Sequence, residues 1–330
     1  MFHASLFPNG IFPVTFFFIL SGFVLYLNYN SKINSSSLLE SFKWGINKIK
    51  KMYPIHIIAF IVSILIKWDW IVKQPLGELI LKVIINITLM QGIVVIPDYS
   101  LTFNGASWYL STLFICYLFV PFFIIKIRNI NRNNLLIIGI CFFQFIICSI
   151  LPEISKYYMD ILYISPFIRI MDVIMGMVLA KIYLERDTEK EINYNLWQSI
   201  CIPLLGIAYM LSFILPGHFT RGLIYSPVFI LGIYFVSFEK GFISNLLCNN
   251  ILQKLATISF EFYMIHELII KLYYKLFKNI FSDLGGGWLI ENSIVAVVSF
   301  ITAIIISSIL NEYISKTYKK NKKNCCEIIY

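Results

Sequence analysis

Phe16-Phe17-Phe18-Ile19-Leu20-Ser21-Gly22-Phe23 is the stretch on which the reading of this chain turns. It is the centre of an apolar segment over 11–29, preceded by His3-Ala4-Ser5-Leu6-Phe7 and Pro8-Asn9-Gly10. About 20 apolar residues make a helix long enough to cross the hydrocarbon of a bilayer. Working outward, similar segments recur at 52–69, 79–96, 107–125, 134–151, 161–183, 197–214, 222–237, 256–277 and 288–310, each bounded by charge, Pro, Gly or Asn. The 330 residues are 58% hydrophobic and 14% charged, with a mean hydropathy of +0.77. A soluble domain of this size needs more polar surface than that. The expectation is an all-α, polytopic transmembrane helix bundle of about nine to ten spans, forming a single domain over 1–330 with a basic cytoplasmic tail at 316–330.

The net charge of +9 would suggest nucleic acid in a soluble protein. Here the Lys and Arg sit in short loops and in the tail, which is the positive-inside pattern, and no nucleic-acid role is expected. Seven cysteines are scattered, mostly within apolar segments (Cys116, Cys141, Cys148, Cys201), which is packing usage and neither a disulfide framework nor a metal spacing. Cys325-Cys326 follow a basic run and read as free thiols or as acylation sites. No basic stretch precedes the first segment, so it is not read as a cleavable leader.

Loop charge sets the orientation. The 31–51 loop (Lys32, Lys43, Lys48, Lys50, Lys51), the 126–132 loop (Lys126, Arg128, Arg132) and the tail should all be cytoplasmic. If every segment crosses, the first two fall on opposite sides. The weakest segment, 79–96, contains Lys82, Asn86 and Gln91, and is therefore expected to be re-entrant. The 181–196 and 238–255 loops then also lie inside. The loops near 97–106, 152–160, 215–221 and 278–287 lie outside, with Lys67, Lys73 and Lys82 near the outer face.

A histidine ahead of an FFxLSGF segment resembles the acyltransferase-3 family of integral-membrane O-acyltransferases. Four further stretches follow in the family's order. Lys48-Ile49-Lys50-Lys51-Met52-Tyr53-Pro54 is similar to its RxxRxYP stretch, with Lys48 and Lys51 where Arg is usual. Asn104-Gly105-Ala106-Ser107-Trp108-Tyr109-Leu110-Ser111, with Tyr117 and Pro121, resembles its SWxLS…Y…P segment. Arg169…Gly176-Met177 resembles its R…Gm helix, and Ile258 to His266 its late helix ending in His. The family also has a helix, with an Arg, ahead of the histidine. This sequence starts at Met1, so the expectation is either that the upstream reading frame supplies that helix or that the chain is a shortened copy.

The resemblance implies an enzyme that moves an acyl group, usually acetyl, from acyl-CoA to a hydroxyl of a cell-surface carbohydrate or lipid-linked sugar. It would be a multi-pass protein of the cytoplasmic membrane with its C-terminus inside. Acyl-CoA is a co-substrate, no cofactor is bound, and no His/Asp/Glu set has metal-ligand spacing. His3 is the implied general base, because imidazole titrates near neutrality and O-acyl transfer must remove the hydroxyl proton. Lys48 and Lys51, one turn apart ahead of a span, either grip the donor phosphates or are ordinary inside-positive charge. Arg169 and Asp172, three apart in an apolar segment, either form an internal ion pair or serve the reaction, with Arg169 balancing charge on the donor or on the tetrahedral intermediate.

His266 sits in one apolar helix with Glu261, Glu267 and Lys271, which implies a polar cavity. His266 holds the acceptor, tunes His3 or is a satisfied core histidine. Asn104, Ser107, Trp108 and Glu261 are candidate substrate-binding residues, Trp108 also reading as a membrane-interface anchor. His56 reads as structural and His218 as a surface-loop residue. The alternatives are a glycan carrier or flippase, which would also line a cavity with charge, and an inactive shortened acyltransferase copy.

Overall fold

The computed structural model describes residues 12–34, 37–186, 191–220, 222–283 and 288–327. Every regular element among them is helical. In chain order these are α1 (Phe12–Tyr29), α2 (Leu38–Ile49), α3 (Tyr53–Ile66), α4 (Trp68–Ile71), α5 (Leu76–Ile87), α6 (Pro97–Ser100), α7 (Ser107–Arg128) and α8 (Asn133–Ile154). There follow α9 (Tyr158–Ile164), α10 (Pro166–Leu184), α11 (Tyr194–Ile214), α12 (Gly217–Thr220), α13 (Ser226–Val236), α14 (Phe242–Leu247), α15 (Asn250–Thr257), α16 (Ser259–Asp283) and α17 (Trp288–Glu327). Proline opens several of them, at the first-turn positions where its missing N–H costs nothing: Pro54 in α3, Pro97 in α6, Pro166 in α10 and Pro227 in α13.

Five stretches of described helix are long and apolar enough to cross a membrane: Ser107–Arg128, Asn133–Ile154, Tyr158–Leu184, Tyr194–Ile214 and Asn292–Thr317. The broken pair α2–α3 makes a sixth if it counts as one span. The sequence segments at 222–237 and 256–277 are helical but do not pass that test. α13 has only 11 residues, and α16 carries Glu261, Glu267, Lys271 and Lys275. The fold is an all-α membrane helix bundle, with fewer full-length spans than hydropathy alone suggests.

The chain packs as two compact units, one of Met1–Ile46 and Thr112–Cys248, the other of Asn47–Ser111 and Asn249–Tyr330. In the first unit, α1 lies against α10. Two glycines set the closeness. A Cβ on Gly22 would overlap the Val173 carbonyl oxygen, and one on Gly176 would overlap the Ile19 carbonyl oxygen and lie 2.8 Å from the Phe23 nitrogen. Small residues let helix backbones approach where lipid offers no hydrophobic drive to associate. Phe18, Ile19, Met175, Met177 and Val178 fill the seam around them.

Of the segments assigned to one side by charge, the 31–51, 126–132 and 181–196 loops meet at one end of this unit, in the parts that belong to it. Arg128 donates to the carbonyls of Asn30 and Ile33. Lys181 Nζ donates to Ile127 O at 3.0 Å, to Arg128 O at 3.1 Å and to Ile130 O. Asn133 Nδ2 donates to Glu185 Oε2 at 3.0 Å. The far end of α8, about 33 Å away at 1.5 Å per residue, leads to α9 and α12, where Tyr158 meets His218 edge-on.

In the second unit the segment expected to be re-entrant is a short helix, α5, followed by a tight buried loop. Leu89 is buried and takes φ +57°, a left-handed conformation that costs a residue with a Cβ about 1–2 kcal/mol. The loop is held by side chains. Ser111 Oγ donates to Leu89 O at 2.6 Å and accepts from Gly92 N at 2.8 Å, and Gln91 Nε2 donates to Ser107 O at 3.3 Å. Buried non-helical backbone needs its polar groups satisfied in this way. His56, read from the sequence as structural, is buried, with Nε2 2.9 Å from Asn86 O.

Candidate active site

Among the described residues, each unit holds a polar cluster that includes candidate site residues. In the first, α10 places Arg169 and Asp172 one turn apart on the same face, and both are sealed from solvent, at 2% and 1% exposure. They form an ion pair, Nη1 to Oδ2, at 2.9 Å. Arg169 Nε donates to Tyr163 O at 2.8 Å, and Nη1 also donates to Thr15 Oγ1 at 3.1 Å. The rings of Phe18 and Tyr163 flank the guanidinium at 5.9 and 5.5 Å. Gln144 on α8 donates its amide Nε2 to Asp172 Oδ1 at 2.9 Å. Gly222 closes the ring of contacts, since a Cβ there would stand 2.9 Å from Thr15 Oγ1 and 3.1 Å from Arg169 Nη1. The pair has the dense hydrogen bonding that a buried charge requires.

A cavity of about 20 Å³ opens beside this pair, lined by Gln144, Cys148, Arg169, Asp172, Gly222 and neighbours. His218 also lines it. This corrects its reading as a plain surface-loop residue: it sits half-buried on α12, at the wall of this cavity.

In the second unit the cluster gathers on α16. His266 is half-buried, stacked on Phe262, with Nδ1 2.7 Å from the Tyr263 carbonyl. A carbonyl only accepts, so the proton of the neutral ring is on Nδ1 and Nε2 presents the basic lone pair. Glu267 pairs with Lys271 along the helix and lies against Gly105, whose missing Cβ leaves room for the carboxylate. Lys67, one residue beyond α3, donates to Thr102 O. Burial, and then the Lys271 charge, push the Lys67 amine down to about 8, against the pull of Glu267. Lys275 beside exposed Asp69 holds that carboxyl below its usual range.

The other residues singled out in the sequence fare unequally. His3 lies outside the described residues. Asn104 is buried and donates Nδ2 to Met264 O at 2.7 Å, while Ser107 Oγ donates to Asn104 O at 2.6 Å. The single Ser107 donor is thus used to shape the loop. Trp108 is 3% exposed, a core residue and not an interface anchor. Glu261 is buried and accepts from Asn311 Nδ2 at 3.1 Å. Lys48 and Lys51 are not on one continuous helix, contrary to expectation. α2 ends at Ile49, and Lys51 falls in the break before Tyr53, exposed, while Lys48 is half-buried.

Thr15, Tyr163, Gln144 and Lys67 were not singled out from the sequence as site residues. The available signal was modest: one glutamine in the middle of the apolar run Ile138 to Ile150, and a lysine ending an apolar segment.

Comparison with known proteins agrees with the motif pattern. The acyltransferase domain of the acyltransferase-3 family matches residues 1–312. Acyltransferase MdmB of Streptomyces mycarofaciens is 23% identical over 287 residues, covering 81% of this chain and 70% of that protein. No solved structure matches.

Proposed function

Because this chain belongs to the acyltransferase-3 family and is a multi-pass membrane acyltransferase, we propose that it moves an acyl group, acetyl in the simplest case, from acyl-CoA to a hydroxyl of a cell-surface carbohydrate or lipid-linked sugar. It does so in the cytoplasmic membrane, with its basic loops and C-terminus inside. The observation that carries this reading is the Arg169–Asp172 pair. A fully buried, multiply hydrogen-bonded guanidinium in a membrane helix, beside a small cavity, fits a site that handles charge as it develops.

In the proposed reaction His3 removes the proton of the acceptor hydroxyl as its oxygen attacks the thioester carbonyl. The C–O bond forms, and the tetrahedral oxyanion is favoured by the positive pole of Arg169. Collapse breaks the C–S bond, and the proton returns to the departing thiolate as free CoA. His266, with a basic Nε2, assists by holding the acceptor or tuning the base. Lys48 and Lys51 act as separate point charges for the donor phosphates, weaker than a bidentate Arg pair. Asn104, Ser107, Trp108 and Glu261 support the acceptor side by holding the 104–108 turn and α16 in shape.

The test is transfer of label from [14C]acetyl-CoA to alkali-labile ester on envelope glycan in membranes carrying the chain. Label should appear with release of CoA thiol, and Lys48→Ala with Lys51→Ala should raise the donor KM several-fold. A glycan carrier without transferase chemistry would give no label.

A further inference from the structure

A cavity of about 200 Å³ lies between α3, α16 and α17 of the second unit, and every residue lining it is aliphatic. Ala59, Ile265 and Leu268 lie deep in it, none more than 5% exposed, while Val62 and Ile306 are exposed at its mouth. Two of the three walls belong to stretches apolar enough to cross a membrane: α17 and, as half of the broken pair, α3. A mouth of this kind admits a hydrocarbon chain. An apolar cavity of roughly 150 Å³ takes one benzene-sized molecule, so about 200 Å³ admits one chain and not two side by side.

Lipid tails are as apolar as this lining, so burial alone selects no particular chain. Selection comes from the polar end. The lining reaches Ile66 and Leu272, and their neighbours in sequence are Lys67 and Lys271. Lys67 uses one of its three N–H groups on Thr102 O, and the other two have no hydrogen-bond partner among the described residues. Lys271 pairs with Glu267, whose carboxylate rests on Gly105, and the charges of both act on Lys67. Segments 67–73 and 267–275 together hold four lysines against two acids, Asp69 and Glu267, which favours an anion. Trp68 and Trp70 of α4 are exposed in the same stretch, and exposed tryptophan marks the headgroup level of a bilayer. A chain in the cavity and an anion at headgroup level describe a phosphate-headed lipid with a single chain. A phospholipid brings two.

We propose that this cavity and its lysines seat a lipid-linked acyl acceptor, a sugar carried on a single-chain lipid phosphate, with the chain between α3, α16 and α17 and the phosphate at Lys67 and Lys271. This rests on the acyl-transfer reading above. α16 also carries His266, which that reading assigns to the acceptor side.

The test is photo-crosslinking of a diazirine-bearing farnesyl phosphate to the purified full chain in phosphatidylcholine nanodiscs, with labelled peptides mapped and melting temperatures as the folding control. Wild type should be labelled on α3 and α16, and excess polyprenyl phosphate should compete where phosphatidylglycerol does not. Ala59→Phe, which fills the cavity, and Val62→Trp, which closes its mouth at an exposed position, should abolish that labelling. Lys67→Gln should weaken it about tenfold, the worth of one charge-assisted hydrogen bond. Labelling that is absent in wild type, or equal in wild type and the three variants, would overturn the seat. Competition by phosphatidylglycerol as strong as by polyprenyl phosphate would also overturn it, marking a site for bulk lipid.

Transfer from [14C]acetyl-CoA is measured alongside, to chloroform-extractable lipid-linked sugar and to water-soluble glycan. Label in the lipid fraction that falls in Val62→Trp supports the assignment. Label confined to glycan, equal in wild type and Val62→Trp, would overturn it and leave acyl transfer standing. Selective cross-linking with transfer to neither would overturn the acyl-transfer reading, and the occupant's role as substrate with it.

Discussion

Replacing Gly176 by alanine probes the packing on which the first unit depends. The added Cβ would overlap the Ile19 carbonyl oxygen and lie 2.8 Å from the Phe23 nitrogen. Both are backbone atoms that cannot rotate away, so α1 and α10 must part by about 1.6 Å to take the Cβ off the Ile19 oxygen to ordinary contact at ~3.5 Å. Overpacking of this kind costs about 1–3 kcal/mol. The same movement stretches the 3.1 Å bond from Arg169 Nη1 to Thr15 Oγ1 beyond hydrogen-bond range, and a bond to a charged group is worth about 1.5–3 kcal/mol.

The combined loss is about 3–5 kcal/mol, or roughly 10 °C in melting temperature at ~2–4 °C per kcal/mol. The assay is thermal unfolding of detergent-purified protein, with Gly139→Ala and Gly206→Ala as controls. Nothing lies within 4 Å of a Cβ at either control position, so these should melt at or above wild type, alanine being favoured in a helix by up to ~1 kcal/mol. Gly176→Ala melting within about 2 °C of the controls would refute the close-packing argument.

Three further outcomes follow from the same geometry. Asp172→Asn leaves Arg169 buried without its counter-charge and should cost about 3–5 kcal/mol, while Arg169→Met with Asp172→Leu recovers most of that stability and abolishes transfer; a double variant as unstable as the single one would contradict this. Ser111→Ala strips partners from Leu89 O and Gly92 N and should cost about 2–4 kcal/mol in the unfolding assay, and an unchanged melting temperature would mean the loop is not held there. Lys67 has its pKa lowered from 10.5 to about 8, so the unfolded chain binds more protons between those values and wild-type stability should rise with pH across that window relative to Lys67→Met. A flat difference in melting temperature from pH 8 to 10.5 would count against the buried placement of that amine.

How much of this was legible in the sequence varies with the range of the interaction. The helical membrane class followed from composition, and the i,i+3 spacing of Arg169 and Asp172 was enough to place them on one face. The anomaly at 79–96 was readable because Lys82, Asn86 and Gln91 broke its apolar run. What makes it a loop, the Ser111 hydroxyl and the strained Leu89, lies on a different helix and in a dihedral angle, neither of which hydropathy reports. Lys48 and Lys51 looked like helix neighbours because a three-residue spacing suggests a turn, and the break after Ile49 removed that relation. Gly22 and Gly176 carried family motifs, yet that each abuts the other helix's backbone is a long-range fact. Gln144 was invisible for the same reason: a single amide in an apolar run has no period, and its meaning comes only from Asp172 on α10 and the cavity beside it.

The measurement that tests the central claim most directly is transfer of [14C]acetyl from acetyl-CoA to envelope glycan in membranes carrying wild type or His3→Ala, with His266→Ala alongside. The account predicts label in wild type, a loss of about 10²-fold or more in His3→Ala, and a smaller loss in His266→Ala. Equal label in wild type and His3→Ala would contradict the assigned base, and no label in wild type would contradict the acyl-CoA-to-glycan reaction itself.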